Sequence, residues 1–222
     1  MSTVDTLVTN NFMKDILIIG AGGFGREVYG FIQHAIKAGA QWNFKGFLDD
    51  NINMLDSFNY PKKVVGTIKD YQPQENEYCL LAIASPIVKK NLSAMLLERG
   101  AKFETLIHPF SAIGENVKIG IGFISCPFVS ITCDSVIGDF VTINTGSTIG
   151  HDTALGSFTT LSAGCDITGN VKIGEGVFLA SNVTTVPKAK IGDWSSVGLN
   201  SFVVGKLKEN KKYLGNPAAP FM

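Results

Sequence analysis

The chain has no excess of either charge: nineteen Lys and Arg stand against nineteen Asp and Glu. Nothing in that balance draws a bulk polyanion, so nucleic acid and anionic membrane surfaces are excluded as expected partners. No apolar run approaches the ~20 residues of a membrane span. The first dozen residues, MSTVDTLVTNNF, lack both the basic start and the apolar stretch of a signal peptide. Residues 1–12 read as a loose leader on an unexported protein with no membrane insertion. Cysteine is sparse: Cys79, Cys126, Cys133 and Cys165 show no metal-ligand spacing and read as reduced thiols of a cytoplasmic protein.

What the chain does have is a period. Of sixteen positions taken every sixth residue from Ile113 to Val203, fourteen are Ile, Leu or Val, and only Ser125 and Thr185 depart. Eight of the sixteen are followed by Gly, and a small or β-branched residue usually comes four positions after the aliphatic one, as at Ser135, Val141 and Cys165. A strict six fits neither a helix nor a meander. It fits short extended segments joined by tight corners, with the aliphatic on the axis and Gly relieving the turn. That is a parallel β-helix with three faces and about five coils, expected over residues 108–206. The period fades after Val203 into a solvated basic run, Lys206 to Lys212, so residues 207–222 read as a cap.

The first half reads differently. The apolar run Ile16–Ile19 leads into Gly20-Ala21-Gly22-Gly23-Phe24-Gly25 and then a helical pattern to about Lys37. Strand, glycine-rich turn and helix place backbone N–H groups at a helix N-terminus, where a pyrophosphate binds. A second strand, Phe44 to Leu48, ends in Asp49-Asp50, acids placed to accept hydrogen bonds from a ribose or base. Further strands are expected at Val64–Gly66, Tyr78–Ile83 and Lys102–Ile107, with a helix at Pro86–Arg99. Residues 13–107 therefore form a small Rossmann-like parallel sheet. It is too short for a full two-lobed dinucleotide domain, which favours a mononucleotide or nucleotide-sugar, with NAD in a truncated fold as the alternative.

The chain has three histidines, His34, His108 and His151, and only His151 lies within the repeat. A zinc site of three histidines on this scaffold is excluded, and no metal is expected. His108, before Pro109, reads as a junction residue. His151 sits two places after an axial aliphatic, so it faces outward; Asp152 adjoins it and Asn144 lies about one hexapeptide back. An imidazole oriented by a carboxylate is a general base, and a surface histidine with an incidental neighbour is the alternative.

Taken together, Gly20–Gly25, Gly46-Phe47-Leu48-Asp49-Asp50, His108-Pro109-Phe110, Ile143-Asn144-Thr145-Gly146, Gly150-His151-Asp152, Gly169-Asn170-Val171 and Gly215-Asn216-Pro217 resemble the hexapeptide-repeat sugar acetyltransferases of bacterial surface-glycan pathways. These are the family of sialic acid O-acetyltransferase and of nucleotide-amino-sugar N-acetyltransferases. The resemblance implies a left-handed β-helix and a homotrimer with acetyl-CoA in the groove between neighbouring coils. It implies a nucleotide-sugar acceptor held by Gly22, Gly23, Phe24, Asp49 and Asp50. By the same resemblance His151 is the general base, Asp152 its partner and Asn144 a neighbour of the acceptor sugar. Gly169 offers an N–H to the thioester oxygen, and Thr160, Gly169, Ser181 and Leu199 contact acetyl-CoA. Acylation of an amine, with a hydroxyl as alternative, is the expected reaction. A non-catalytic nucleotide-sugar sensor and an NAD-dependent oxidoreductase are the rival functions.

Overall fold

The computed structural model describes residues 13–221; the leader expected over residues 1–12 lies outside them. Two halves follow one another. The first holds β1 (Lys14–Ile19), α1 (Gly23–Lys37), β2 (Trp42–Leu48), β3 (Val64–Gly66), β4 (Glu77–Leu81), α2 (Pro86–Glu98) and β5 (Lys102–Phe103). All five strands run parallel in the order β3-β2-β1-β4-β5. The order reverses between β1 and β4, so the open crevice of this sheet lies beyond their carboxyl ends. α1 buries Gly25, Val28, Ile32 and Ala35, a helical stripe, against β1 and β2.

The second half is a parallel β-helix. Two-residue strands recur on three faces, each strand pairing with the one eighteen residues on, as in Ser130–Ile131 with Thr148–Ile149 and that strand with Asp166–Ile167. The first face begins at Leu106–Ile107, the second at Ala112–Ile113 and the third at Lys118–Ile119. The second and third faces are each six strands deep, one coil more than counted in the sequence. The axis is filled by the stacked Ile, Leu and Val expected there, and small side chains occupy the flank. The flanking hydroxyls are satisfied by the coil that follows: Ser147 Oγ donates to the Ser162 carbonyl at 3.1 Å and Thr159 Oγ1 to that of Gly174 at 2.9 Å. Polar groups next to the axis are thereby tolerated.

Three expectations need correction. The strand expected at Lys102–Ile107 is two: Lys102–Phe103 ends the sheet on β4, and Leu106–Ile107 opens the first face of the coil against Ile124–Ser125. The glycines after the axial aliphatics do not make the turn. The left-handed corner falls two residues later, on residues such as Phe140, Asp152, Phe158 and Asn170, with φ between 54° and 64°. At Gly150 the reason for glycine is instead close approach, because a Cβ there would lie 2.6 Å from the backbone N of Gly169 in the next coil. Finally, the coil runs on past residue 206, where the cap was expected to begin. Lys206–Leu207 pairs with Lys190–Ile191 and Lys212–Leu214 with Ser196–Val197, burying Leu207 and Tyr213 on the axis. One shortened corner between Val203 and Leu207 breaks the six-residue count while the stacking continues in space.

The sheet domain sits on the first face. Lys89 of α2 is 1% exposed, and its Nζ donates to the Phe140 carbonyl (2.8 Å), the Thr159 carbonyl (3.0 Å) and Thr142 Oγ1 (3.3 Å). No carboxylate is among these partners, and burial pushes the Lys89 amine well below its ordinary range. Phe103 packs edge-on to Phe140, which stacks on Phe158 at the neighbouring corner.

Candidate active site

The glycine-rich turn has the geometry that a phosphate-binding loop needs. Gly20 has φ +95°, and a Cβ on Gly25 would collide with the Gly20 carbonyl, so helix and strand meet only because both are glycine. α1 starts at Gly23 with no side-chain cap and no acid in its first turn, leaving its N–H groups open toward the loop. Asp49, at the end of β2, is built into this turn. Its Oδ2 accepts the Ala21 N–H at 2.8 Å and its Oδ1 the Asn51 N–H at 2.9 Å. Asp50 is exposed, and its Oδ1 accepts the Lys69 N–H at 3.1 Å. Gly22, Gly23, Phe24, Asp49 and Asp50 thus gather at the carboxyl end of β1 and β2.

His151 and Asp152 occupy the corner between the second and third faces. His151 Nδ1 lies 2.7 Å from Asp152 Oδ2, with both side chains more than half exposed. Asp152 makes this contact from the left-handed conformation, φ +56°, imposed by the corner. Stacking puts Cys133, His151 and Gly169 in one column, one per coil. The imidazole lies over Gly169: a Cβ there would fall 2.6 Å from His151 Nε2 and 2.8 Å from Cε1. The Gly169 N–H, in the residue under the ring, has no acceptor among the described residues.

The other expected residues are spread around the coil. Thr160 lies on the first face, Ser181 and Leu199 at successive levels of the corner between the first and second faces, and Gly169 one corner further on. Asn144, at the first of those corners, accepts the Thr145 N–H with its own Oδ1 at 2.7 Å. Thr160 and Asn144 share a cavity of about 140 Å³ with Phe24 of the glycine-rich turn and Ala84, just past β4. In a three-sided coil the corner holding His151 stands opposite the first face, which the sheet domain covers. One chain therefore carries its glycine-rich loop and its histidine–carboxylate pair on different sides.

The remaining histidines pack at the junction of the halves. His108 is fully buried, its Nδ1 accepts the Phe110 N–H at 3.1 Å, and its Nε2 faces His34 Nδ1 at 2.9 Å. Burial, reinforced by His34, holds the His108 imidazole below its ordinary range. Sequence reasoning missed Lys89, whose helical setting gave no sign of burial, and Glu27, which also lines the interdomain cavity. Among the described residues no group of three His, Cys, Asp or Glu is placed to hold a metal, and no helix is long and apolar enough to cross a membrane.

Comparison with known proteins bears on both halves. Residues 15–96 match the PglD N-terminal domain family. The GDP-perosamine N-acetyltransferase of Escherichia coli O157:H7 is 28% identical over 135 residues, which take in 61% of this chain and 61% of that relative's length. The acetyltransferase domain of PglB from Neisseria gonorrhoeae FA1090, solved with acetyl coenzyme A, superposes with a TM-score of 0.84 at 25% identity, covering 94% of this chain and 99% of that one. PerB from Caulobacter crescentus, solved with CoA and GDP-perosamine, superposes with a TM-score of 0.82 at 26% identity, covering 95% and 98%.

Proposed function

Since the chain belongs to the hexapeptide-repeat sugar acetyltransferase family, we propose that it transfers the acetyl group of acetyl-CoA to the amino group of a nucleotide-linked amino-deoxysugar, in the cytoplasm. The observation that carries this reading is the His151–Asp152 pair lying against Gly169 on an exposed corner. His151 is the general base. Asp152 holds Nδ1, so Nε2 takes the proton as the amine nitrogen attacks the thioester carbonyl carbon. The Gly169 N–H donates to the oxyanion of the tetrahedral intermediate. Collapse expels the CoA thiolate, which recovers the proton from the imidazolium, and an amide is left on the sugar. No covalent enzyme intermediate is required.

The nucleotide is held by the turn at Gly22, Gly23 and Phe24, with Asp49 shaping it and Asp50 beside it. Asn144 stands next to the acceptor sugar. Acetyl-CoA runs along the coil past Gly169, Ser181 and Leu199, with Thr160 at the acceptor end of its path. That these groups lie on different sides of one chain supports a homotrimer as the working unit, in which the His151 corner of one copy meets the nucleotide side of the next. A trimer also supplies the groove in which acetyl-CoA lies.

The experiment is an acetyl-CoA thiol-release assay against UDP-, GDP- and dTDP-linked 4-amino-deoxysugars and their hydroxyl counterparts, with mass spectrometry of the product. Release with an amino sugar and gain of one acetyl group as an amide are expected. Release only with the hydroxyl sugars, or acetylation of no acceptor, overturns the reading.

A further inference from the structure

The cavity between the two halves carries more information than its position. Its walls include Phe24 and Glu27 of α1 and Thr142, Asn144, Thr160 and Ser162 of the coil, around a volume of about 140 Å³. Thr160 is 3% exposed, and its Oγ1 is buried without a hydrogen-bond partner. The hydroxyls beside the axis, by contrast, donate to the coil below. Leaving a buried hydroxyl unpaired is costly, so this one awaits a ligand group.

Among the described residues Glu27 is the one ionisable side chain on the cavity wall. The amine behind that wall, Lys89, has its hydrogen bonds committed to Phe140, Thr142 and Thr159, and Arg26 lies over the Phe58 ring. The cavity is thus polar, hydroxyl-lined and of negative sign.

Resting on the acetyltransferase reading, we propose that Glu27 determines acceptor specificity: its carboxylate pairs with the protonated amine of the acceptor sugar, while Thr160 and Ser162 hydrogen-bond the ring hydroxyls. The ammonium form binds and loses one proton to water. The free amine then attacks, and its second proton passes to His151. The product amide is neutral, so its attraction to Glu27 is gone and release is favoured. A sugar bearing a carboxylate is repelled by the same group, which disfavours sialic acid as acceptor.

Calorimetry on the full chain tests this with three probes: the nucleotide that binds best among UDP, GDP and dTDP, its 4-amino-4,6-dideoxyhexose conjugate, and the N-acetylated form of that conjugate. Wild type is expected to bind the amino sugar roughly tenfold more tightly than the N-acetyl form, the scale of one charge-assisted hydrogen bond. Glu27→Gln, on an exposed side chain, should bring the two within about twofold, the charge-assisted part being lost. Thr160→Val should weaken both conjugates and leave the bare nucleotide unchanged. Equal wild-type affinity for amine and amide, or a Glu27→Gln variant that keeps the wild-type ratio, overturns the proposal while leaving acetyl transfer standing. Absence of binding by all three nucleotides overturns the acetyltransferase reading and this proposal with it.

Discussion

The two halves fix their functional groups by different means. In the coil a residue's place follows from its count: adding eighteen moves one level along the same column, so Cys133, His151 and Gly169 stack whatever lies elsewhere. In the sheet domain nothing repeats, and the glycine-rich loop is placed by where β1 and β4 end and by Asp49 accepting the Ala21 N–H twenty-eight residues away. A periodic scaffold suits a small rigid constellation, here an imidazole, a carboxylate and a free N–H. A strand-end crevice suits a larger ligand held by main-chain donors. Chemistry is therefore expected to respond to changes in the coil, and acceptor affinity to changes in the sheet domain.

The strongest test of that division is His151→Ala. It should lower kcat by ~10²–10⁴-fold, the usual contribution of a general base, with acetyl-CoA affinity by calorimetry unchanged, since the side chain is exposed and the axis untouched. A variant retaining more than about a tenth of wild-type kcat would mean that the proton leaves by another route. Next comes Gly169→Ala. The new methyl would stand 2.6 Å from His151 Nε2, so the ring must move, and a displacement of about 1 Å costs on the order of 10²-fold. Steady-state kcat reports the loss, and an unchanged thermal unfolding midpoint separates it from misfolding.

Asp49→Ala sharpens the other side. Losing the carboxylate that holds the turn should raise KM for the nucleotide-sugar about tenfold or more and leave KM for acetyl-CoA in place. If both constants rise together, the two halves do not divide the work as described.

The smallest effect concerns the joint between the halves. Lys89 has its amine held low by burial in the folded chain, whereas in the unfolded chain it keeps an ordinary value near ~10.4. Between those values the unfolded state binds more protons. Wild-type stability relative to Lys89→Met should therefore rise with pH, by up to ~1.4 kcal/mol per unit, and level off above ~10.4. Urea midpoints for both proteins from pH 7 to 10 measure the gap. A gap that is flat or falls with pH would show that Lys89 stays fully protonated in the fold.

The same contrast explains what could be read from the amino acids. The coil was legible because axial aliphatics such as Ile131, Ile149 and Ile167 recur without regard to the rest of the chain. Its true end was hidden by one short corner after Val203. The glycine pattern pointed to turns because glycine serves both turns and close approaches, and only the stacked backbones tell them apart. The outward placement of His151 followed from its slot, but its contact with Gly169 needed the coil spacing to be turned into a column. Lys89, Glu27 and Thr160 acquire their roles only where one half docks on the other, and no local pattern records that. Lys89 is one of two adjacent lysines on a helix, and Thr160 is one more small residue in a strand.

The claim joining all of this is that the histidine corner of one copy and the nucleotide side of another complete a single site. Subunit mixing tests it directly. His151→Ala and Asp49→Ala chains are co-expressed with different tags, the doubly tagged assemblies purified, and thiol release measured at a nucleotide-sugar concentration well below the KM of Asp49→Ala. In a mixed assembly some sites receive both an intact corner and an intact loop, so activity should exceed that of either parent by far more than their average. Activity no higher than that average would place the complete site within one chain and contradict the account.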